Sequence, residues 1–380
     1  MVAVTRVLSL GLLAIVASFV YGVDVDTCDD FALVAESLED EDVVATVAND
    51  IVCDSWTTVV VPEGRKLTIE GADSTRRVKF SNVRFEVVER DDDGEADLIF
   101  SSDMKFFATI EADSTLAIQD VDGGVLNVGS GATVSFAGFS VCRGVSIVSA
   151  RAVDTDGSLF DFADHFVNGG CWYNEGTIDI AGLAKFKEND NSGGGESPPG
   201  EGGAVFNGAS GTLNFMGGFW AKENTCVDDQ GGVGGVMSNL GTIVIKESAI
   251  LANNLAESSG GIFNAESGVI EFDTEETVSF FNNVFGVDSR LGGHIVNEGS
   301  ISFGSFVKFL RGKDGIVNSG HISFLDGALF KNLEYGAITV FEGATFDNLS
   351  DVEFKSNEPG FQGCEDISFA DSEGGWTCGP

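Results

Sequence analysis

The sequence predicts an all-β chain: a single right-handed, three-sided parallel β-helix (solenoid) with a short N-terminal capping helix and a disulfide-linked C-terminal cap. Three observations lead there. A Gly-rich phrase closing on Asn recurs six times. A short alternating strand follows each copy. Proline, which cannot donate to a backbone ladder, occurs only five times in 380 residues.

The phrases are GGCWYN to Asn174, GGAVFN to Asn207, GGVMSN to Asn239, GGIFN to Asn264, GGHIVN to Asn297 and GIVN to Asn318, spaced by 33, 32, 25, 33 and 21 residues. Repetition at such periods marks a solenoid, in which each unit buries its apolar face against its neighbours. The strands that follow carry the pairs Ile178/Ile180, Leu213/Phe215, Ile243/Ile245, Ile270/Phe272, Ile301/Phe303 and Ile322/Phe324. Alternation puts both members of a pair on one face. Nine residues after Ile180, Phe215 and Ile245 stand Asn189, Asn224 and Asn254, closing a second strand. Its clearest copies read FKEN (Phe186 to Asn189), FFNN (Phe280 to Asn283) and FKSN (Phe354 to Asn357). Each unit thus holds three strand-sized pieces, and the shortest, 21 residues, suits one turn of a three-sided coil. Glycine and asparagine are expected at the corners, where left-handed backbone is needed.

The ends differ from the middle. Arg6, the apolar run Val7 to Tyr21 and the small residue Gly22 read as a signal peptide over residues 1–22, too short for a comfortable membrane span. The β-helix domain is assigned to 23–380, with an N-terminal cap and opening strands over 23–60, coils over 61–357 (most regular over 170–330) and a C-terminal cap over 358–380. Phe31 to Leu38 predicts an amphipathic capping helix. Pro62-Glu63-Gly64 marks a turn between opening strands. Residues 70–120 are weakly periodic, and from Glu334 the register loosens.

Seven cysteines follow the signal. In an oxidising compartment disulfides are expected, with one thiol left over. Sequence proximity predicts Cys28–Cys53 and Cys364–Cys378 as fasteners of the two ends, and Cys142–Cys171 as a third pair. Cys226 is then the odd thiol in an insertion loop. Asn348-Leu-Ser350 is an N-glycosylation sequon, expected exposed at a late corner.

The formal charge is −39, and −40 once Arg6 is removed (20 − 60). Such a surface repels nucleic acid and anionic membranes. Disorder is excluded by 43% hydrophobic residues and 31 phenylalanines. A secreted or cell-surface location follows, with no membrane insertion; an extracellular glycan or another surface protein is the expected partner.

GGAVF (Gly202–Phe206) together with FKEN and FFNN resembles the polymorphic outer membrane protein repeats first associated with chlamydial surface proteins. The resemblance spans roughly residues 123–357, with departures: Gly312 replaces the Asn in FLRG and Ala221 replaces the Phe in AKEN. It implies a right-handed β-helix of pectin-lyase type and an adhesive, surface-exposed role. The membrane barrel of that family has no counterpart in this sequence.

The sequence offers no complete catalytic constellation. Glycoside hydrolysis needs clustered carboxylates; within the regular coils Asp228-Asp229 is the adjacent acidic pair, and it falls in an insertion. His294 and His321 read as corner fillers, and His165 has no evident partner. Arg65, Lys66, Arg76, Arg77, Lys79 and Arg84 form a basic cluster, with surface ion pairs as its expected use and an anionic glycan as the alternative. No cofactor is expected. Asp120/Asp122 and Asp154/Asp156 offer oxygen ligands for Ca2+ but lack the further ligands of an EF-hand loop.

Two functions follow as expectations: a non-catalytic structural or adhesive protein, and, as the alternative, a polysaccharide-active enzyme (lyase, hydrolase or epimerase) or an ice- or glycan-binding helix. Ice binding would use Thr177, Thr212 and Thr242, which align before three first strands, although Val269, Ser300 and His321 follow them. Segments Asp190–Glu201, Thr225–Val233, Leu255–Ser259 and Val284–Leu291 vary most in length. They are therefore expected to project from one edge and to carry any contact with a partner.

Overall fold

A computed structural model describes residues 20–73, 77–88, 97–107, 125–145, 170–191, 201–227, 232–285, 293–357, 361–362, 367–369 and 376–378. Its strands form long, mostly parallel sheets, as a parallel β-helix requires. Strands of three or four residues that return at a repeat period cannot pair with their sequence neighbours as hairpins. They pair instead with the equivalent strand of the next unit. Thus Thr177–Ile180 lies in register on Thr212–Phe215, which lies on Thr242–Ile245, then Val269–Phe272, Ser300–Phe303 and His321–Phe324. This first ladder is a 14-stranded sheet.

An 18-stranded sheet contains two more ladders. The second stacks Val78–Ser81, Met104–Phe107, Ser140–Arg143, Ala184–Lys187, Phe219–Lys222 and their successors up to Val352–Lys355. The third stacks the Gly-rich phrases, Trp172–Asn174 on Val205–Asn207 and onward to Ile316–Asn318. Long strands join the two, among them Val78–Val87, Val307–Asn318 and Ala328–Val340. Each of these three bends at a residue of positive φ: Asn82, Asn332, and Arg311 followed by Gly312.

The predicted inward pairs are the core. Ile178, Leu213, Ile243, Ile270, Ile301 and Ile322 are fully buried, as are Ile180, Phe215, Ile245, Phe272, Phe303 and Phe324. Burying each such side chain contributes about 1.5–3 kcal/mol. Aromatic rings repeat along the stack: Phe280 on Phe309 at 4.9 Å and Phe309 on Phe330 at 4.6 Å.

The N-terminal helix spans Asp30–Leu38 and buries Phe31, Val34 and Leu38. Phe31 reaches the core rings of Phe80 and Phe85 at 6.1 and 6.2 Å, so the helix covers the open end of the interior. Cys28–Cys53 ties the helix start to the strand Ile51–Val61, and Cys142–Cys171 links the second ladder to the start of the third. Both bridges are the predicted ones. Cys364 lies outside the described residues, as does the side chain of Cys378. At the far end Trp376–Cys378 and Ile367–Phe369 extend the first ladder as antiparallel strands.

Four expectations change. The loosening at Glu334 is local: Ala328–Val340 continues both ladders, bending at Asn332, and the register shifts by one residue between Leu333 and Gly336. The weakly periodic stretch contains Val78–Val87, Asp97–Phe100 and Met104–Phe107, all in register. Cys226 is not in a loop: Thr225–Cys226, Leu255–Ala256 and Val284–Phe285 form a three-stranded parallel sheet, and Cys226 is buried. Finally, the motif asparagines do not themselves adopt left-handed backbone. Before Asn189, Asn224, Asn254 and Asn283 the preceding residue does so (Glu188, Glu223, Asn253 and Asn282), which frees those side chains to turn inward, whereas the asparagines of the Gly-rich phrases end strands with no left-handed neighbour before them.

Those side chains form two hydrogen-bonded columns. Asn174 Nδ2 donates to Asn207 Oδ1 at 2.7 Å, and the pattern repeats through Asn239, Asn264 and Asn297 to Asn318 at 2.7–2.8 Å. A second column runs Asn189, Asn224, Asn254, Asn283 at 2.7–2.9 Å. Each amide also bonds backbone, for example Asn174 Nδ2 to the Gly176 carbonyl at 3.1 Å. A buried amide stack of this kind is stable because nearly every polar atom has a partner.

Candidate functional site

Outward positions distinguish the three ladders. On the first, the row Thr133, Thr177, Thr212, Thr242, Val269, Ser300, His321, Thr345 extends the threonine alignment at both ends. The adjacent outward row contains Asp179, Asn214 and Glu271, and Asn214 bonds Asp179 at 2.7 Å. Carboxylates in that row interrupt the uncharged surface that ice binding needs.

The second ladder is different in kind. One outward row reads Lys79, Lys105, Val141, Lys185, Trp220, Ile250, Ser279, Lys308, Leu329, Glu353. Its neighbour reads Phe107, Arg143, Lys187, Lys222, Ala252, Phe281, Leu310, Lys331, Lys355. Four lysines on the first row and five basic residues on the second make nine of the chain's 21 Lys and Arg, while Glu353 is the acid on these rows. In a chain with 60 acidic residues this separation is not the average surface.

The two rows use their charge differently. On the second row Arg143 and Lys187 contact Glu188 at 2.8 and 2.5 Å, and Lys222 contacts Glu223 at 2.7 Å. The Lys187 and Arg143 hydrogen bonds hold the Glu188 carboxyl down at about 2. On the first row, Lys79, Lys105, Lys185 and Lys308 form no ion pair among the described residues. Lys79 lies over the Phe107 ring at 5.2 Å, and Lys185 over Phe139 and Trp220 at 5.1 and 5.2 Å. Ring faces orient an ammonium group without neutralising it.

The basic cluster read along the sequence is dispersed. Arg65 bonds the Glu39 carbonyl at 3.0 Å, Lys66 sits on the first ladder and Arg84 is nearly buried on the third. Arg77 and Lys79 remain on the lysine face, Arg77 over Phe139 at 4.8 Å, and Arg76 lies outside the described residues. The outward lysines of distant repeats were missed because they recur at unit spacing, not locally. Aligning the repeats and reading the residue before each inward Phe would have found Lys185 and Lys308.

The two histidines differ in setting: His294 lies in the bend before Ile295–Asn297, whereas His321 is within a strand. His294 is fully buried between Phe280 and Phe309, and His321 heads a first-ladder strand with Nδ1 2.8 Å from Thr345 Oγ1. His165, Asp120, Asp122, Asp154, Asp156, Asp228 and Asp229 lie outside the described residues. The insertion edge begins with paired backbone, Asp190 on Thr225 on Leu255 on Val284. Glu201 folds back there, accepting from Ser238 Oγ at 2.9 Å, and burial raises its carboxyl. Asn348 is half-buried in left-handed backbone, beside the exposed Ser350.

A shallow cleft of about 630 Å3 lies where the third ladder turns to the first, lined by residues including Glu86, Asn127, Tyr173, Glu175 and Ser210. Both Glu175 oxygens are engaged, Oε1 by Tyr173 Oη at 3.2 Å and Oε2 by Ser210 Oγ at 2.6 Å. Among the described residues no group of three or more His, Cys, Asp and Glu is arranged to hold a metal ion, and no helix is long and apolar enough to cross a membrane. No protein-family model, curated protein or solved structure matches this chain.

Proposed function

We propose that this chain is a secreted, non-catalytic structural or adhesive protein, built as a right-handed, three-sided β-helix of pectin-lyase type. The observation that carries the reading is the set of three in-register parallel ladders presenting chemically distinct outer faces, one of them basic and aromatic. A rigid stack of repeats offers extended faces of this kind for contact, and needs no moving parts to do so. Two disulfides support an oxidising, extracellular location. The GGAVF, FKEN and FFNN phrases support kinship with the surface-protein repeats they resemble.

A polysaccharide-active enzyme is the second reading. It is favoured by the cleft that brings Glu86 and Glu175 to one rim. The hydrogen bonds on Glu175 weigh against it, since they hold that carboxylate as an acceptor.

Beads coated with the secreted protein should adhere to extracellular matrix or to cell surfaces, with no soluble sugar released. Adhesion no better than that of albumin-coated beads would contradict the adhesive reading, and release of sugar would favour the enzyme.

A further inference from the structure

We propose that the lysine row on the second ladder binds an extended acidic polysaccharide, laid along the stack of coils. This rests on the adhesive reading and names its ligand class.

The four lysines share one outward row and have no carboxylate partner among the described residues, although carboxylates outnumber basic groups 60 to 21. Arg143, Lys187 and Lys222, on the adjacent row, are paired with Glu188 and Glu223. Neutralisation was therefore available to this face and is confined to one row. Three of the unpaired ammonium groups, on Lys79, Lys185 and Lys308, rest on rings, and Trp220 and Ile250 continue the same row as apolar surface, 41% exposed at Ile250. Alternating cations and flat apolar surface suits a ligand with anionic groups and C–H faces, which is the chemistry of a sugar acid or a sulfated sugar.

Geometry selects a polymer. Parallel rungs are about 4.8 Å apart, so the row from Lys79 to Lys308 runs about 34 Å. The lysine spacing also disfavours nucleic acid. Duplex DNA carries a charge every ~1.7 Å and a single strand every ~3.4 Å, denser than one lysine per rung can match. The surrounding charge of −39 opposes so dense a polyanion. One charge per sugar is a better fit to sparse cations on a negative body.

The test measures binding of the whole secreted protein to chondroitin sulfate (sulfated, about one charge per sugar), polygalacturonate (carboxylated), dextran (neutral) and poly(dT). The wild type should bind chondroitin sulfate, polygalacturonate or both, with affinity falling as salt rises, and ignore dextran. The combined variant Lys79→Gln/Lys105→Gln/Lys185→Gln/Lys308→Gln should lose about 30-fold in affinity and much of the salt dependence. Its melting temperature should match the wild type. Lys246→Gln/Lys313→Gln, away from the row, should bind normally. Retained affinity in the fourfold variant, failure to bind either acidic glycan, or tighter binding of poly(dT) overturns the inference. If wild-type beads still adhere in those cases, the adhesive reading stands and only the ligand assignment fails.

Discussion

Asn283 and His294 meet end to end inside the stack, Nδ2 of the amide lying 3.0 Å from Nδ1 of the imidazole. The Oδ1 of Asn283 already accepts from Asn254, so the amide nitrogen faces the ring and Nδ1 accepts from it. The ring is thereby fixed as the Nε2–H tautomer. His294 closes the second asparagine column, in the rung where Gly312 stands in place of the motif Asn. A Cβ at 312 would come within 3.3 Å of His294 Nε2, on backbone at φ +133. The missing Asn and the buried His are one substitution read at two positions.

His294 should make the fold acid-sensitive. Burial pushes its pKa down to about 3 from an unfolded 6.5, so the unfolded chain binds the extra proton between those values. Stability is lost as pH falls from 6.5 towards 3, by about 1.4 kcal/mol per unit. Asp314, raised to about 6 by burial, acts oppositely between 3.8 and 6, its stabilisation being lost as pH rises. Urea unfolding of wild type and His294→Asn from pH 7 to pH 4.5 separates the two. The gap should move in the variant's favour on acidification; a constant gap would remove His294 from the account.

Interrupting the other column should cost more than an exposed asparagine could. Asn239→Ala leaves Asn207 Nδ2 without its Oδ1 acceptor and Asn264 Oδ1 without its donor, both buried. A loss of about 2–4 kcal/mol is expected in chemical denaturation, against ~0.5 for Asn127→Ala on the third ladder's outer face.

Phe280→Asp should abolish secretion of folded protein. Phe280 is fully buried against Phe272, Phe303 and Phe309. An unpaired charge there costs several kcal/mol. Normal secretion and thermal stability of the variant would mean that the register is wrong.

Non-reducing peptide mapping should recover Cys28 with Cys53, Cys142 with Cys171 and Cys364 with Cys378. Cys226 should resist alkylation until the protein unfolds, because it is buried in a paired strand. Cys226 recovered in a disulfide, or alkylated at once, would contradict this.

Much of the fold was legible because a parallel stack writes its period into the sequence. The pairs from Ile178/Ile180 to Ile322/Phe324 gave the inward face of the first ladder, and GGxxxN phrases gave the third. What escaped was whatever depends on contact between units. Single-residue preferences place the asparagines at corners, whereas their columns exist only when repeats stack. The lysine face was hidden for the same reason: Lys79, Lys105, Lys185 and Lys308 are separated by 26 to 123 residues and meet only through the register. Single-residue preference makes His294 a corner filler because its place at the end of the Asn283 column exists only in the stack.

Binding without chemistry is the central claim, and polymer length tests it most directly. The purified protein is incubated with a panel of sized polysaccharides, and both retention and chain length are read from the same samples. The account predicts that an acidic polymer is retained and recovered at its original length. Shortened chains, new reducing ends or unsaturated products would contradict it and return the cleft at Glu86 and Glu175 to first place.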